Sequence, residues 1–379
     1  MTSTACREAP GARSRVAKVG APRYFSSSYQ EARQKFLDAA LAAGGNIDSF
    51  QNPHPGPRGE PLFMDAVFVG GGDAKRILVV ISGTHGVEGF AGSGIQTGLL
   101  QDGIASRLPA GLGLLMIHAM NPYGMAHLRR FTEDNVDLNR NFRDHVEPYP
   151  RNFSYEQLAD VIAPQSLSFW SEVVSWSRLL WYRVTAGQAA SQAAVSGGQY
   201  SHPDGLFFGG TFATWSNTTV RSIVRRYLSS ASQVVVVDVH TGLGAFGAAE
   251  VILNVPEDSP EYHRALAIWG PALVKTTVTG QSVSAHLEAS LKLAIPEMLP
   301  GAEVTAVSLE FGTLPPMEVL KALRAENWLH HHGGMGHPKA RELKGCLLRA
   351  FHPESEEWNA SVWSQGRQVV ERALASLSP

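Results

Sequence analysis

Apolar, β-branched runs of strand length recur along this chain: FMDAVFVG (63–70), RILVVIS (76–82), LGLLMIH (112–118), QVVVVDVH (233–240), EVILNV (250–255) and EVTAVSLEFG (303–312). Several are apolar at nearly every position, as strands covered on both faces are. Between them lie stretches of helical spacing, near 89–102, 217–231, 258–275 and 315–329. Ser28-Tyr-Gln-Glu31 is a capping-box pattern, so a further helix is expected from about 28 to 43, ended by Gly44-Gly45. Strands alternating with helices predict an α/β fold. The expected form is a mixed, mainly parallel twisted sheet with helices on both faces and a site at the C-terminal strand ends.

The pattern also divides the chain. Residues 1–24 read as a loose N-terminal extension, and 25–379 as one domain with an insertion at about 145–215. The insertion is rich in Trp, Ser, Ala and Gln and is expected to hold one or two helices packed over the sheet's edge or mouth. Trp170, Trp176, Trp181 and Trp215 are expected to pack it. Phe207-Phe208-Gly209-Gly210 could line a substrate mouth, since glycines permit close backbone approach.

Composition narrows the function. Of 379 residues, 32 are Lys or Arg and 34 Asp or Glu, a net charge of −2, which excludes the broad basic footprint of a nucleic-acid binder. Nothing polybasic suggests a membrane surface, and no stretch approaches the ~20 apolar residues of a membrane span. Cys6 and Cys346 are the only cysteines, which excludes a disulfide scaffold and a Cys-rich zinc site and points to a reducing, cytoplasmic compartment. The first residues have no apolar core of a secretory signal. They are faintly similar to an organelle transit peptide, but a ragged extension is the simpler reading.

Candidate chemistry begins at Thr84-His85-Gly86-Val87-Glu88-Gly89, directly after RILVVIS. A His and a Glu three apart at a strand end can turn onto one ion, and zinc takes imidazole nitrogen and carboxylate oxygen. The same H-x-x-E also fits an ordinary helix start with a surface His. His240 ends the most apolar strand, where α/β enzymes place their sites, although a satisfied core His would look alike. Asp238 lies two residues earlier on the same side and could orient a ligand. Asn121-Pro-Tyr-Gly124, Arg129-Arg130 and Asn135 to Phe142 follow, and an Asn beside an Arg suits a carboxylate. Glu310 interrupts an apolar strand, which is costly unless the acid is paired or used.

Six pieces in order, His85-x-x-Glu88, Asn121-Pro-Tyr-Gly124, Arg130, Asp137-Leu-Asn-Arg-Asn-Phe142, His240 and Glu310, resemble the M14-type zinc carboxypeptidase-like superfamily over roughly 76–313. Within it, HGVEG (85–89), VDVHTGLG (237–244) and LEFGT (309–313) are most similar to the DUF2817-like bacterial branch. The resemblance implies one zinc per chain on His85, Glu88 and His240. It makes Glu310 the general base that passes its proton to the leaving amine, and Arg130 the group that polarises the scissile carbonyl. Asn139 and Arg140 would grip a substrate carboxylate, and Asp137 would buttress His85. The implied function is hydrolysis of an amide next to a free carboxylate in a small peptide or N-acyl amino acid. Arg130 is chosen over Arg129 by its position ten residues before Arg140. A Tyr that such peptidases carry some twenty residues before the catalytic Glu is missing from GQSVSAHLEAS (280–290). That turns the expectation toward a deacylase-like amidohydrolase, with an ester or amide deacylase lacking any carboxylate requirement as the alternative.

Rivals remain. Gly242-Leu-Gly-Ala-Phe-Gly247 is a literal G-x-G-x-x-G of a nucleotide-cofactor oxidoreductase, but AAEVILNV after it reads as a strand, not the required helix. Ser93 lacks the full G-x-S-x-G elbow of a serine hydrolase. A non-catalytic binding protein should lack a ligand or the base. His330-His331-His332 with His337 could hold a second metal, though a helix end entering a Gly/Pro loop explains it equally.

Overall fold

The computed structural model describes residues 23–280, 282 and 287–378. Most of the N-terminal extension, and part of the stretch where the Tyr was sought, lie outside them. Among the described residues eight strands form one sheet: β1 (Asn46–Gln51), β2 (Phe63–Gly70), β3 (Arg76–Ile81), β4 (Leu112–His118), β5 (Gln233–Phe246), β6 (Ala249–Leu253), β7 (Val274–Thr276) and β8 (Glu303–Gly312). Their spatial order is β1-β2-β4-β3-β5-β8-β6-β7. The central β4-β3-β5-β8 ladders are parallel, while β1-β2, β2-β4 and β6-β8 are antiparallel. The sheet is therefore mixed around a parallel heart, as the apolar runs predict.

The helices are α1 (Tyr29–Ala42), α2 (Gly89–Gln101), α3 (Pro122–Ala126), α4 (Phe153–Ile162), α5 (Phe169–Ala186), α6 (Gln188–Ser196), α7 (Trp215–Leu228), α8 (Pro260–Trp269), α9 (Leu291–Met298), α10 (Pro316–His331), α11 (Ala340–Phe351) and α12 (Glu356–Ser376). Ser28 caps α1 by accepting from the Glu31 N–H, as the capping pattern implies. Alternate strand residues feed two cores. Leu78, Val80, Val235, Val237, Val307 and Leu309 pack with α1, α2, α8 and α12. Ile77, Val79, Ile81, Val234, Val236, Val304 and Ala306 pack with α7 and α9 on the other face. A third cluster joins α4, α5, α6, α10 and α11, and it takes in Val87, Phe131 and Phe207.

Several details depart from the sequence reading. The polar edge strand β1 and the three-residue β7 carry no strong pattern; β7 falls at the end of the expected 258–275 helix, which stops at Trp269 before Gly270 in the left-handed region. The 145–215 segment holds three helices rather than one or two, because Gly187 at φ 88° breaks α5 from α6. Strand β5 continues to Phe246 and carries most of the G-x-G-x-x-G. β6 follows directly, so no helix receives a pyrophosphate there. Trp176 and Trp215 pack inward, but Trp170 and Trp181 are exposed. Among the described residues no helix is long and apolar enough to cross a membrane.

Candidate metal centre

Strand parity places the acidic and imidazole groups. His240 and Glu310 are direct partners across β5 and β8, and Asp238 pairs with Ser308 one row below. Residues two apart on a strand share a face, so these side chains continue the row that holds Val236 and Ala306 against α7 and α9. There the row changes from apolar to ionisable, at the C-terminal end of the parallel strands.

His85 and Glu88 reach the same place by a turn. After β3 the chain turns at Gly83, His85 is extended, and a short 3-10 turn over Gly86–Glu88 leads into α2. Gly86 lies against Gly124; a Cβ on Gly86 would sit 2.1 Å from the Gly124 carbonyl carbon, so only glycine fits. Asn121 holds this turn by accepting from the Gly124 N–H at 2.8 Å and donating to the Arg130 carbonyl at 3.3 Å. Gly86 and Val87 in turn donate to the carbonyls of Arg130 and Arg129. The H-x-x-E turn and the arginine are thereby pinned to each other.

The adjacent arginines part company. Arg129 is buried against Glu326 and Asn135, away from the cluster. Arg130 enters it, bonding to Glu88, donating from Nε to Asp137 at 3.1 Å and lying 2.8 Å from His85 Nε2. Two carboxylates flank His240: Asp238 Oδ2 is 2.6 Å from Nε2 and Glu88 Oε2 is 3.3 Å from Nδ1. Glu88 also accepts from the Thr241 N–H at 3.1 Å. Asp238 is steadied by the Thr84 hydroxyl at 2.7 Å. The rings of His85 and His240 are 5.0 Å apart.

Electrostatics follow from burial and crowding. Desolvation would discharge His240, but Asp238 and Glu88 outweigh it and raise its pKa to about 10. His85, buried beside Arg130, is driven well below the usual imidazole range. Glu310 is pushed up to about 7, first by burial and then by the charge of Glu88, while His240, the Leu243 N–H and Arg130 pull the other way. Asp137 is buried too, yet Arg140, His85 and Arg130 hold it well below the carboxylate range. Glu88 and Asp137 thus bond to Arg130, and Glu88 and Asp238 flank His240, whereas Glu310 accepts from the Leu243 N–H at 3.0 Å.

The donor set fits a cation of zinc type. Two imidazoles 5.0 Å apart lie near the Glu88 carboxylate, which is 3.3 Å from His240, and the buried His85 Nδ1 has no hydrogen-bond partner. The Arg130 guanidinium lies against both His85 and Glu88. As the side chains stand, no three His, Cys, Asp or Glu among the described residues close into a coordination group.

Asn139 and Arg140 sit on the next turn. Asp137 caps it, accepting from the Asn139 N–H at 3.0 Å. Asn139 Nδ2 is 3.4 Å from His85 Nε2, and its Oδ1 accepts from the Leu291 N–H at 3.1 Å. Arg140 is buried: Nη1 donates to Asp137 at 3.1 Å, Nη2 to the Ser196 carbonyl, and Nε has no partner. Both residues border a cavity of about 510 Å³ that is also lined by Arg151, Tyr200, Gly198 and Glu288.

Other sequence candidates fall elsewhere. Phe207 and Phe208 are buried, and the Phe207 ring lies under the guanidiniums of Arg130 and Arg140 at 5.7 and 5.2 Å, so this stretch is packing beneath the arginines. His332 stacks on Trp328 and His331 faces Asp204, so the histidine run does not gather on one point. Ser93 is buried against His118 at 2.9 Å and opens to no elbow. Sequence reasoning missed Lys292. It leaves the first turn of α9, donates to the Ile252 carbonyl at 3.3 Å, and is lowered to about 8 by burial despite Asp238 and Glu310. Its one signal is a Lys inside the apolar run LKLAIPEM.

A family model described as a protein of unknown function, DUF2817, matches residues 25–365. No curated protein sequence matches the chain. Among solved structures, the carboxypeptidase A of Helicoverpa armigera superposes with a TM-score of 0.51 at 12% identity, covering 92% of this chain and 73% of that one. Bovine thrombin-activatable fibrinolysis inhibitor gives 0.44 at 11%, covering 90% and 99%. A putative succinylglutamate desuccinylase/aspartoacylase family protein from Shewanella amazonensis gives 0.35 at 18%, covering 76% and 73%. The first likeness places the chain on the carboxypeptidase fold.

Proposed function

This chain belongs to the DUF2817 family, and from that premise we propose that it is a zinc-dependent hydrolase of amide bonds in small peptides or N-acyl amino acids. The observation that carries the reading is the pairing of His240 with Glu310 across two parallel strands, with Glu88 3.3 Å from His240 and the His85 ring 5.0 Å from that of His240. One zinc per chain would be held by His85, Glu88 and His240, and when bound it supplies Lewis acidity to the reacting carbonyl and water. Glu310, buried on β8 beside His240, accepts the proton of the attacking water and returns it to the leaving nitrogen. Arg130 offers donors to the carbonyl oxygen as charge develops there. Asp238 fixes the orientation of His240, and Asp137 holds Arg130 and stands 3.7 Å from His85. Asn139 and Arg140, bordering the cavity, receive a substrate carboxylate.

A second reading is favoured by one observation. Two nitrogens of Arg140 are already engaged by Asp137 and Ser196, so a carboxylate must displace one of these contacts to be gripped. A deacylase that needs no terminal carboxylate avoids that exchange. Assaying N-acyl amino acids against their amidated counterparts, with and without chelator, separates the two. Chelator-sensitive hydrolysis of the acids supports the first reading, and equal turnover of both sets supports the second. No hydrolysis of either set after zinc loading removes both.

A further inference from the structure

Helix α5 turns an apolar face outward. Trp170, Val173, Val174, Leu180, Trp181 and Val184 are all exposed, with Trp170 at 73%, Trp181 at 70% and Val184 at 72%. Their spacing follows the helical repeat, so they form one stripe, while Leu179 and Ser175 on the opposite side pack inward. A monomer seldom leaves so many large apolar groups contiguous in water.

We propose that this stripe is the interface of a homodimer, a second copy of α5 lying antiparallel across the first. The stripe is symmetric about Ser177: Trp170 mirrors Val184, Val173 mirrors Trp181, and Val174 mirrors Leu180. An antiparallel pair on a twofold axis through Ser177 therefore sets each large group of one copy against an apolar group of the other, the self-complementarity an isologous contact needs. Ser177 is small and its hydroxyl is satisfied by the Val173 carbonyl at 2.7 Å, so the two helices can approach closely at the axis. The area is sufficient. Phe169, Trp170 and Trp181 alone present roughly 400 Å², and the aliphatic groups bring the stripe toward the roughly 800 Å² per partner of a standard interface.

A lipid surface fits less well. Such a helix needs a basic rim, whereas Arg178 and Glu172 are held in ion pairs with Asp160 and Arg324 and leave Arg183 as the one further cation on the helix. The dimer also bears on the candidate site. α5 packs with α4 and α6, and the end of α6 supplies the Ser196 carbonyl that holds Arg140. Pairing two copies braces that wall.

The test is light scattering on the full chain at micromolar concentrations, beside the W170E/W181E variant, with circular dichroism confirming both folded. The wild type should run as a dimer and the variant as a monomer. Ser177→Cys, treated with a short bis-maleimide, should link two chains well above the wild-type background, and Ser222→Cys on α7 should not. A monomeric wild type, a dimer that survives the double substitution, or an unlinked Ser177→Cys overturns the proposal. So does wild-type co-sedimentation with anionic vesicles as a monomer, which would assign the stripe to lipid.

Discussion

Substituting Glu310 by Gln separates a catalytic carboxylate from a structural one through two readouts of opposite sign. The carboxyl is lifted from 4.5 to about 7 in the fold by burial and the charge of Glu88. A group whose folded pKa is raised binds its proton more tightly folded than unfolded. Its favourable contribution is therefore fully present below about 4.5 and is lost as pH rises through about 7. Above that the ionised Glu310 weighs against the fold by about 3 kcal/mol. Gln is neutral at every pH, nearly isosteric, and keeps an oxygen for the Leu243 N–H at 3.0 Å. In chelator-treated protein, Glu310→Gln should thus melt a few degrees above wild type at pH 8, and the gap should close toward pH 4.5. Zinc-loaded, the same variant should lose ~10²–10⁴ in turnover. Differential scanning calorimetry across pH, with kcat on the same preparation, reads both. A Gln variant that is less stable at every pH and turns over normally would refute the argument, because Glu310 would then be a paired structural acid.

Other substitutions probe the surrounding groups. Asp238→Asn removes the carboxylate 2.6 Å from His240 and should weaken zinc affinity by ~10–100-fold, measured by competition with a chelating dye. Arg140→Ala should raise KM for carboxylate-bearing substrates by the equivalent of ~1.5–3 kcal/mol and leave amidated analogues nearly unchanged; equal effects would remove its clamp role. Gly198→Ala puts a Cβ 2.5 Å from Arg140 Cγ at a residue with φ +98°. It should cost on the order of 1–3 kcal/mol in thermal unfolding and disturb KM more than kcat.

How much of this was legible in the sequence follows from how local each signal is. Strands β2 to β5 and β8 stand out because burial makes them apolar at most positions, and HxxE, His240 and Glu310 stand out as polar groups at the ends of such strands. Arg130 could be told from Arg129 by spacing alone; the structure separates them by sending Arg129 to Glu326. What escaped depends on tertiary context. β1 is polar because it lies at the sheet's edge. The outward turn of Trp170 and Trp181 follows from which face of α5 meets α4 and α6. Lys292 has no local motif, and its place beside Asp238 and Glu310 is set only when α9 docks through the Leu291 N–H to Asn139. Arg140 has the composition of a clamp, but its ties to Asp137 and the Ser196 carbonyl appear only once α6 is folded against it.

The central claim is that His85, Glu88 and His240 hold a zinc ion that hydrolysis requires. Metal analysis coupled to an amide-hydrolysis assay tests it most directly, on wild type and on folded His85→Ala, Glu88→Ala and His240→Ala variants. The account predicts one zinc per wild-type chain, activity lost to chelator and restored by zinc, and neither tight zinc nor activity in any variant. Full zinc occupancy in the variants, or undiminished hydrolysis by the chelated wild type, would contradict it.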